Sequence, residues 1–365
     1  MPPQPSPRTD WRPDEQQELL LRAALGEKPD CSSAWHEWHR TADVSELDWG
    51  SRRLLPLVHD NVDEPQDPET WIKNHILFED TATLIRLLQR SGIEVLVLKG
   101  VPLALLYYPD AALRPMADVD LLVRPQDAPR AIGIMTEAGW TSPYPSPERL
   151  IPFARTADFR NANGTVCDLH WRAFRQGIDL EDDDLWERAI SLDVAGTATR
   201  TLEAADQLLL VCTHGSEWNA MPSFRWVADA AMLIRTGVDW QHLVERTRQR
   251  RLMLPMADTL PYLQRFTTVP NDVVETIGRM PATRLERLAY RARTGPNGAL
   301  HSLLLVTFWA RCWRRLSDRR FGGKLMAFLR SLQSLWKVEH LWQTPFRLLY
   351  KCLQVSGRMI FRPSA

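Results

Sequence analysis

Residues 97–123, VLKGVPLALLYYPDAALRPMADVDLLV, contain the pattern that decides the fold. The preceding run 93–98 is almost wholly apolar and stops at a Lys-Gly pair, which is typical of a buried strand. Residues 101–108 suit a short helix, and residues 117–123 (ADVDLLV) suit a second strand. The order strand, glycine turn, helix and strand therefore predicts an α/β core.

The flanking sequence predicts the rest of the sheet. A helix is expected over 127–138, and two strand-like runs, 155–160 and 165–171, are joined by Asn-Ala-Asn-Gly, a strong hairpin signal. A second hairpin turns at an Ala-Gly pair between residues 190–194 and 197–202. Together these runs predict a small mixed β-sheet.

Helical periodicity dominates on both sides of this core, with the clearest example over 71–90. We therefore expect an α+β fold, an α/β core flanked by helical N-terminal and C-terminal regions. The predicted divisions are a flexible tail 1–14, a helical region 15–90, the core 91–202, a helical region 203–296 that completes the cleft, and a basic helical region 297–365.

Composition and charge narrow the class of protein. The chain has 365 residues, with 44% hydrophobic and 25% charged side chains, which suits a globular protein of two or three domains. Its net charge of zero argues against a general electrostatic nucleic-acid binder. Residues 301–365 differ from this average, because they contain twelve basic and only two acidic residues, which gives a net charge of +10. This segment is expected to meet an anionic surface or an acidic partner, or to be a solvated helical face.

Other sequence signals favour a cytoplasmic protein. The five cysteines are far apart and form no Cys-x-x-Cys pair, which fits a reducing compartment. The N-terminus is polar and proline-rich rather than a signal peptide, and no apolar run is long enough for a transmembrane helix. The sequence also lacks a Walker P-loop, Gly-x-Ser-x-Gly and His-Glu-x-x-His.

Three aspartates are the candidates for chemistry. Asp118 and Asp120 are two residues apart on a predicted strand, so both side chains point to one face. Asp168 lies in a later strand-like run, VCDLH. If the two strands pair, the three carboxylates converge and can bind Mg²⁺, which prefers carboxylate and phosphate oxygens. A solvated strand edge is the alternative interpretation.

The turn after the first strand is a second candidate site. Gly100 allows close approach of a ligand to the backbone, and Lys99 adds a positive charge at the start of the following helix. A simple strand-to-helix turn would have the same sequence.

These motifs resemble the DNA polymerase β-like nucleotidyltransferase superfamily. Their sequences are most similar to one bacterial branch of it, a nucleotidyltransferase family usually called uncharacterised. The shared features are Leu-Lys-Gly, an arginine before Asp-x-Asp-Leu-Leu-Val, and Asp-Leu-His-Trp. The resemblance implies that Asp118 and Asp120 are paired metal ligands and that Asp168 is a third ligand that helps deprotonate the acceptor hydroxyl. It also implies that Lys99 and Gly100 hold the triphosphate, where the superfamily usually has Gly-Ser or Gly-Gly.

Four further residues match positions of that branch. Arg114 is expected to point toward the phosphates or the carboxylates, or to form a surface salt bridge. His170 shares a strand face with Asp168 and either meets the substrate or has a structural role. His214 and Asp229 lie in apolar helical runs, where they pair with each other or line the pocket, and we favour the structural role.

The resemblance implies a transferase that uses Mg²⁺ or Mn²⁺. It would move a nucleoside monophosphate from a nucleoside triphosphate to an acceptor and release pyrophosphate. The acceptor would be a small molecule, a peptide, a protein or an RNA end. Glycosyl transfer from a nucleotide sugar and a non-catalytic nucleotide-binding or regulatory module are the alternatives.

Overall fold

The structure is a computed structural model. It describes residues 11–66, 68–152, 154–174, 182–217, 224–294, 321–335, 338, 340–347 and 349–350. Most of the predicted tail 1–14 and much of the basic region 297–365 therefore lie outside the described residues. In the part of the chain that the structure describes, no helix is both long and apolar enough to cross a membrane.

A mixed six-stranded sheet forms the centre of the fold, with strand order β3-β4-β2-β1-β6-β5. Strands β2 and β4 are parallel, as are β1 and β6, and the remaining neighbours are antiparallel. The strands are β1 (Leu96–Leu98), β2 (Asp118–Leu122), β3 (Thr156–Arg160), β4 (Val166–His170), β5 (Ile190–Val194) and β6 (Thr197–Thr201).

Helices surround the sheet. The N-terminal ones are α1 (Glu15–Leu25), α2 (Asp30–Thr41), α3 (Trp49–Arg52), α4 (Leu55–Asn61) and α5 (Pro68–Arg90). Those between strands are α6 (Gly100–Leu106), α7 (Ala128–Glu137) and α8 (Asp183–Glu187). The C-terminal ones are α9 (Ala204–Gly215), α10 (Arg225–Thr236), α11 (Trp240–Gln249), α12 (Met253–Leu263), α13 (Asn271–Gly278), α14 (Arg284–Thr294) and α15 (Phe321–Leu335).

The alternation of side chains along β2 separates two hydrophobic cores. Val119 and Leu121 pack with α5 and α7 on one face of the sheet. Leu122 belongs to the other core, together with residues of α1, α9 and α10. Asp118 and Asp120 share this second face, because residues at i and i+2 of a strand point the same way. The aspartates therefore face the helices of the N-terminal and C-terminal regions.

The two predicted hairpins are present. Gly164, with φ +89°, ends the turn between β3 and β4, where a residue with a side chain would be strained. Ala195 and Gly196 both have positive φ between β5 and β6, which matches a two-residue loop with a primed turn. These turns place Arg160 opposite Val166 in the first hairpin and Val194 opposite Thr197 in the second.

The predicted fold class is confirmed, since a mixed sheet lies between helical regions in an α+β arrangement. The predicted elements also occur where expected, with ends that differ by up to three residues. One example is the strand predicted over 93–98, which is shorter as β1. The division of the chain into five regions stays a prediction.

Close packing of α9 against α10 positions the start of α10 near the sheet. A Cβ at Gly215 would lie 2.1 Å from Cγ of Trp226, far inside van der Waals contact. We expect Gly215→Ala to lower the free energy of unfolding by about 1–3 kcal/mol or more, because an indole ring must shift. Denaturant unfolding tests this.

Gly133→Ala is the matched control for this substitution. Gly133 also lies in a helix, but a Cβ there meets no atom within 4 Å. Its replacement is expected to stabilise the protein by up to about 1 kcal/mol through helix propensity. Equal effects of the two substitutions would contradict the close α9–α10 contact.

Candidate active site

A row of aspartates crosses three neighbouring strands. Asp120 of β2 is paired in register with Asp168 of β4, and Asp168 is paired with Asp158 of β3. Residues in register on adjacent strands point to the same face, so the three side chains lie side by side. Asp120 and Asp168 were predicted to lie together from the sequence, whereas Asp158 was not predicted as part of the site. Its signal was the alternation in TADFR, in which Ala157 and Phe159 are buried on the opposite face.

Asp120 is buried and held from two sides. Its Oδ1 accepts a hydrogen bond from Nζ of Lys99 at 2.6 Å and lies 2.8 Å from Nε2 of His170. Burial alone raises the pKa of Asp120, but the Lys99 cation and the His170 hydrogen bond together hold it well below its usual range. This carboxylate is therefore ionised throughout the physiological pH range.

Asp168 has the opposite electrostatic environment. Burial and the neighbouring charges of Asp120 and Asp158 raise the pKa of Asp168 to about 7. Burial also lowers the pKa of His170 to about 4, so this imidazole is neutral at pH 7. Two carboxylates in one site thus have widely separated pKa values, an arrangement that is common where acid–base chemistry takes place.

His170 fixes the position of Asp120. Its side chain is fully buried at the end of β4, and its Nε2 faces Asp120. Within the described residues, its Nδ1 is buried without a hydrogen-bond partner. A buried polar atom without a partner is costly, so this nitrogen reduces the gain from the contact with Asp120. The sequence was compatible with either a substrate contact or a structural role for His170, and the geometry includes a structural contact.

Asp118 is half-buried at the start of β2. The ligand atoms of Asp120, Asp168 and His170 lie within 4.8 Å of one another, and this group does not include Asp118. The charge of Asp118 acts on Asp168 and also on three arginines, Arg53, Arg114 and Arg225. Asp118 therefore lies between the carboxylate group and a cluster of positive charge.

The Lys99-Gly100 turn follows β1 directly. Lys99 has φ 48° and ψ −110°, a backbone conformation that L-residues rarely adopt and that costs of order 1–3 kcal/mol. Gly100 begins α6, and a Cβ there would lie 3.3 Å from Nη1 of Arg114 and 3.4 Å from Sδ of Met116. The strained turn thus directs the lysine toward Asp120 and leaves Gly100 facing the arginine.

Arg114 is buried rather than on the surface. Its Nε and Nη2 each donate to the carboxylate of Asp229 at 2.8 Å, and the hydroxyl of Tyr108 donates to the same carboxylate at 2.8 Å. Asp229 therefore pairs with Arg114 and Tyr108, whereas the His214 side chain is exposed on α9. Burial raises the pKa of Asp229, but Arg114 and Arg225 outweigh this effect and lower it. This buried pair joins the loop before β2 to α10.

The carboxylate group has the chemistry of a divalent-metal site. Asp120 and Asp168 offer the oxygen ligands that Mg²⁺ and Mn²⁺ prefer. His170 lies in the same group, but its Nε2 donates to Asp120 and therefore positions that carboxylate. Repulsion between the carboxylates contributes to the raised pKa of Asp168, and a bound cation would relieve it. The residues present therefore fit a metal ion.

A second group of possible ligands consists of Glu203, Asp206 and His242. The Glu203 carboxylate caps the N-terminus of α9, and Oδ1 of Asp206 accepts from Nε of Arg246 at 2.9 Å. Positive charge from a helix N-terminus and from an arginine disfavours a cation here. We interpret this group as a structural network that joins α9 to α11.

Comparisons with known proteins identify the family of the chain. The family described as uncharacterised nucleotidyltransferase matches residues 69–268, which include all six strands. Among solved structures, the chain is similar to an antigenic nucleotidyltransferase-like protein from Paracoccidioides brasiliensis, with 13% identity and a TM-score of 0.36 over 55% of this chain and 96% of that one. No curated protein matches the chain. Because the family match covers more than half of the residues, the chain belongs to the uncharacterised nucleotidyltransferase family.

Proposed function

We propose that this protein transfers a nucleoside monophosphate from a nucleoside triphosphate to an acceptor and releases pyrophosphate. The observation that carries the proposal is the in-register pair Asp120 and Asp168, whose ligand atoms converge with that of His170 beside the Gly100 turn. Membership of the polymerase β-like superfamily and a cytoplasmic location remain expectations from the sequence.

Asp120 and Asp168 would hold the divalent cation, Mg²⁺ or Mn²⁺. When bound, such an ion neutralises phosphate charge and positions the reacting oxygens. Lys99 keeps Asp120 ionised, and His170 restricts the orientation of its carboxylate. The chain thus presents a negative ligand whose position and charge are set in advance.

Asp168 is the residue that we assign to the acceptor hydroxyl. The pKa of about 7 describes Asp168 without metal. A bound cation would lower this pKa and keep the carboxylate ionised, so that it can accept a hydrogen bond or a proton from the acceptor hydroxyl. Its neighbours Asp158 and Asp120 hold the pKa in this range together with burial. Asp118 lies at the arginine side of the site. We propose it as a further metal ligand, on the side where the nucleoside triphosphate binds.

A nucleotide screen tests the proposal. The protein is incubated with Mg²⁺ or Mn²⁺ and each nucleoside triphosphate radiolabelled at the α-phosphate, in the presence of a cell extract that supplies acceptors. We expect pyrophosphate release together with a labelled product whose mass exceeds that of its acceptor by one nucleoside monophosphate less water. Asp168→Asn is the inactive control, and exposed Asp60→Asn is the matched active control.

Other outcomes of this screen would contradict the proposal. In a parallel incubation with nucleotide sugars in place of the triphosphates, release of a nucleoside diphosphate with sugar on the acceptor would show glycosyl transfer on the same scaffold. Nucleotide binding without any transfer would indicate a regulatory module. Equal labelling by wild type and Asp168→Asn would show that the carboxylate group does not carry the chemistry.

A further inference from the structure

Three arginines from distant parts of the chain meet beside Asp118. Arg53 follows α3, Arg114 precedes β2, and Arg225 is the first residue of α10. Nη2 of Arg53 donates to the carbonyl oxygen of Pro115 at 3.1 Å, and Nη1 of Arg225 donates to the same oxygen. A single carbonyl group thus holds two guanidinium groups together.

The cluster has more positive than negative charge. Asp229 pairs closely with Arg114, but its Oδ2 is 3.9 Å from Nε of Arg225. Burial, followed by repulsion from the other arginines, lowers the pKa of Arg53 to about 9 and that of Arg225 to about 10. Three guanidinium groups therefore share two carboxylates, Asp118 and Asp229, in a partly desolvated place, and the excess positive charge favours binding of a further anion.

Unused hydrogen-bond donors remain in this cluster. Among the described residues, Nη1 of Arg114 and Nε of Arg225 are buried without hydrogen-bond partners. Nη1 of Arg114 is also the atom that a Cβ at Gly100 would approach to 3.3 Å. Gly100 therefore lies directly beside this donor, and a side chain at that position would press against it. Planar guanidinium groups with free donors are well suited to phosphate oxygens.

We propose that Arg53, Arg114 and Arg225 bind the terminal phosphates of the nucleoside triphosphate. This inference rests on the proposed function and assigns the donor's polyphosphate end to the arginines. We assign this role to the arginines rather than to Lys99, whose ammonium group is paired with Asp120. The arginines act on Asp118, so the polyphosphate lies next to the carboxylate group where the α-phosphate reacts.

Inorganic tripolyphosphate without metal is the probe, because it contains the phosphates and neither the base nor a reactive acceptor. Wild type is expected to bind it, with a higher melting temperature and an affinity that decreases as salt increases. Arg53→Gln and Arg225→Gln are each expected to weaken binding at least tenfold. Arg52→Gln, at the exposed neighbouring position, is expected to bind like wild type.

Two further variants keep the test decisive. Arg225→Lys retains the charge but not the planar fork, so it is expected to bind more tightly than Arg225→Gln and less tightly than wild type. Asp168→Asn is expected to lose transfer but to keep its tripolyphosphate affinity. The melting temperature without ligand is measured for each variant, and a variant that does not fold is replaced by its lysine counterpart.

The two proposals can fail separately. Wild-type affinity in both Arg53→Gln and Arg225→Gln, or no tripolyphosphate binding by wild type, would overturn the arginine site even if nucleotide transfer is observed. Arginine-dependent tripolyphosphate binding by a wild type that transfers no nucleotide would support the arginine site and contradict the proposed function.

Discussion

Replacing Asp168 by Asn is expected to abolish nucleotide transfer and to stabilise the metal-free protein at pH 8. The pKa of Asp168 is about 7 in the folded protein, above its ordinary value of 3.8, because of burial and the charges of Asp120 and Asp158. Between these two values the folded state binds more protons than the unfolded state. The contribution of protonated Asp168 to stability is therefore complete below pH 4 and is lost as pH rises through 7.

The size of this effect follows from the pKa difference. About three pKa units correspond to up to about 4 kcal/mol of destabilisation at pH 8, and Asn removes the charge that causes it. The stabilities of wild type and Asp168→Asn, measured by denaturant unfolding with a chelator present, should converge toward pH 4. Asp60→Asn, an exposed control, should show no such pH-dependent difference. Parallel pH curves for wild type and Asp168→Asn would contradict the assigned environment.

Replacing Asp120 by Asn should also abolish transfer but should destabilise the protein. Repulsion between the carboxylates alone would predict that this substitution stabilises the protein. The structure differs, because Asp120 is the charge partner of Lys99 and the hydrogen-bond partner of His170. Breaking a buried ion pair from one side costs about 3–5 kcal/mol, and the 14% exposure of the Lys99 side chain reduces this cost.

A double substitution separates stability from chemistry at Asp120. Lys99→Met in the Asp120→Asn background removes the unpaired ammonium group, so the double variant should regain part of the lost stability. Transfer should remain at least roughly 10³-fold below wild type, since each 1.4 kcal/mol of lost transition-state stabilisation is a factor of ten. Recovery of transfer together with stability would show that Asp120 has only a structural role.

The sequence was informative about the strands because their patterns are local. Alternation in ADVDLLV places Asp118 and Asp120 on one face, and the Asn-Gly turn positions the strand that includes Asp168. The pairing of β2 with β4, which brings Asp120 opposite Asp168, was an assumption at that stage. In the structure, β2 and β4 are paired through five residue pairs, one of which is Asp120 with Asp168.

Contacts between distant segments were not accessible from the sequence. Arg53 and Arg225 are separated from the Asp-x-Asp motif by many residues, and no local periodicity marks either as part of a site. Arg114 was expected near phosphates, carboxylates or the surface. In the structure it forms a buried ion pair with Asp229 of α10. Nothing in the local sequence distinguishes Asp158 from other aspartates. Only the pairing of β3 with β4 places it beside Asp168.

The most direct test of the account is a crystal structure with Mn²⁺ and a non-hydrolysable nucleoside triphosphate, with the metal located by its anomalous signal. We expect Mn²⁺ bound by the carboxylates of Asp120 and Asp168 at roughly 2.0–2.2 Å, with the terminal phosphates against Arg53, Arg114 and Arg225. Mn²⁺ on Glu203, Asp206 and His242, or a triphosphate remote from the aspartates, would contradict the assignment of the active site.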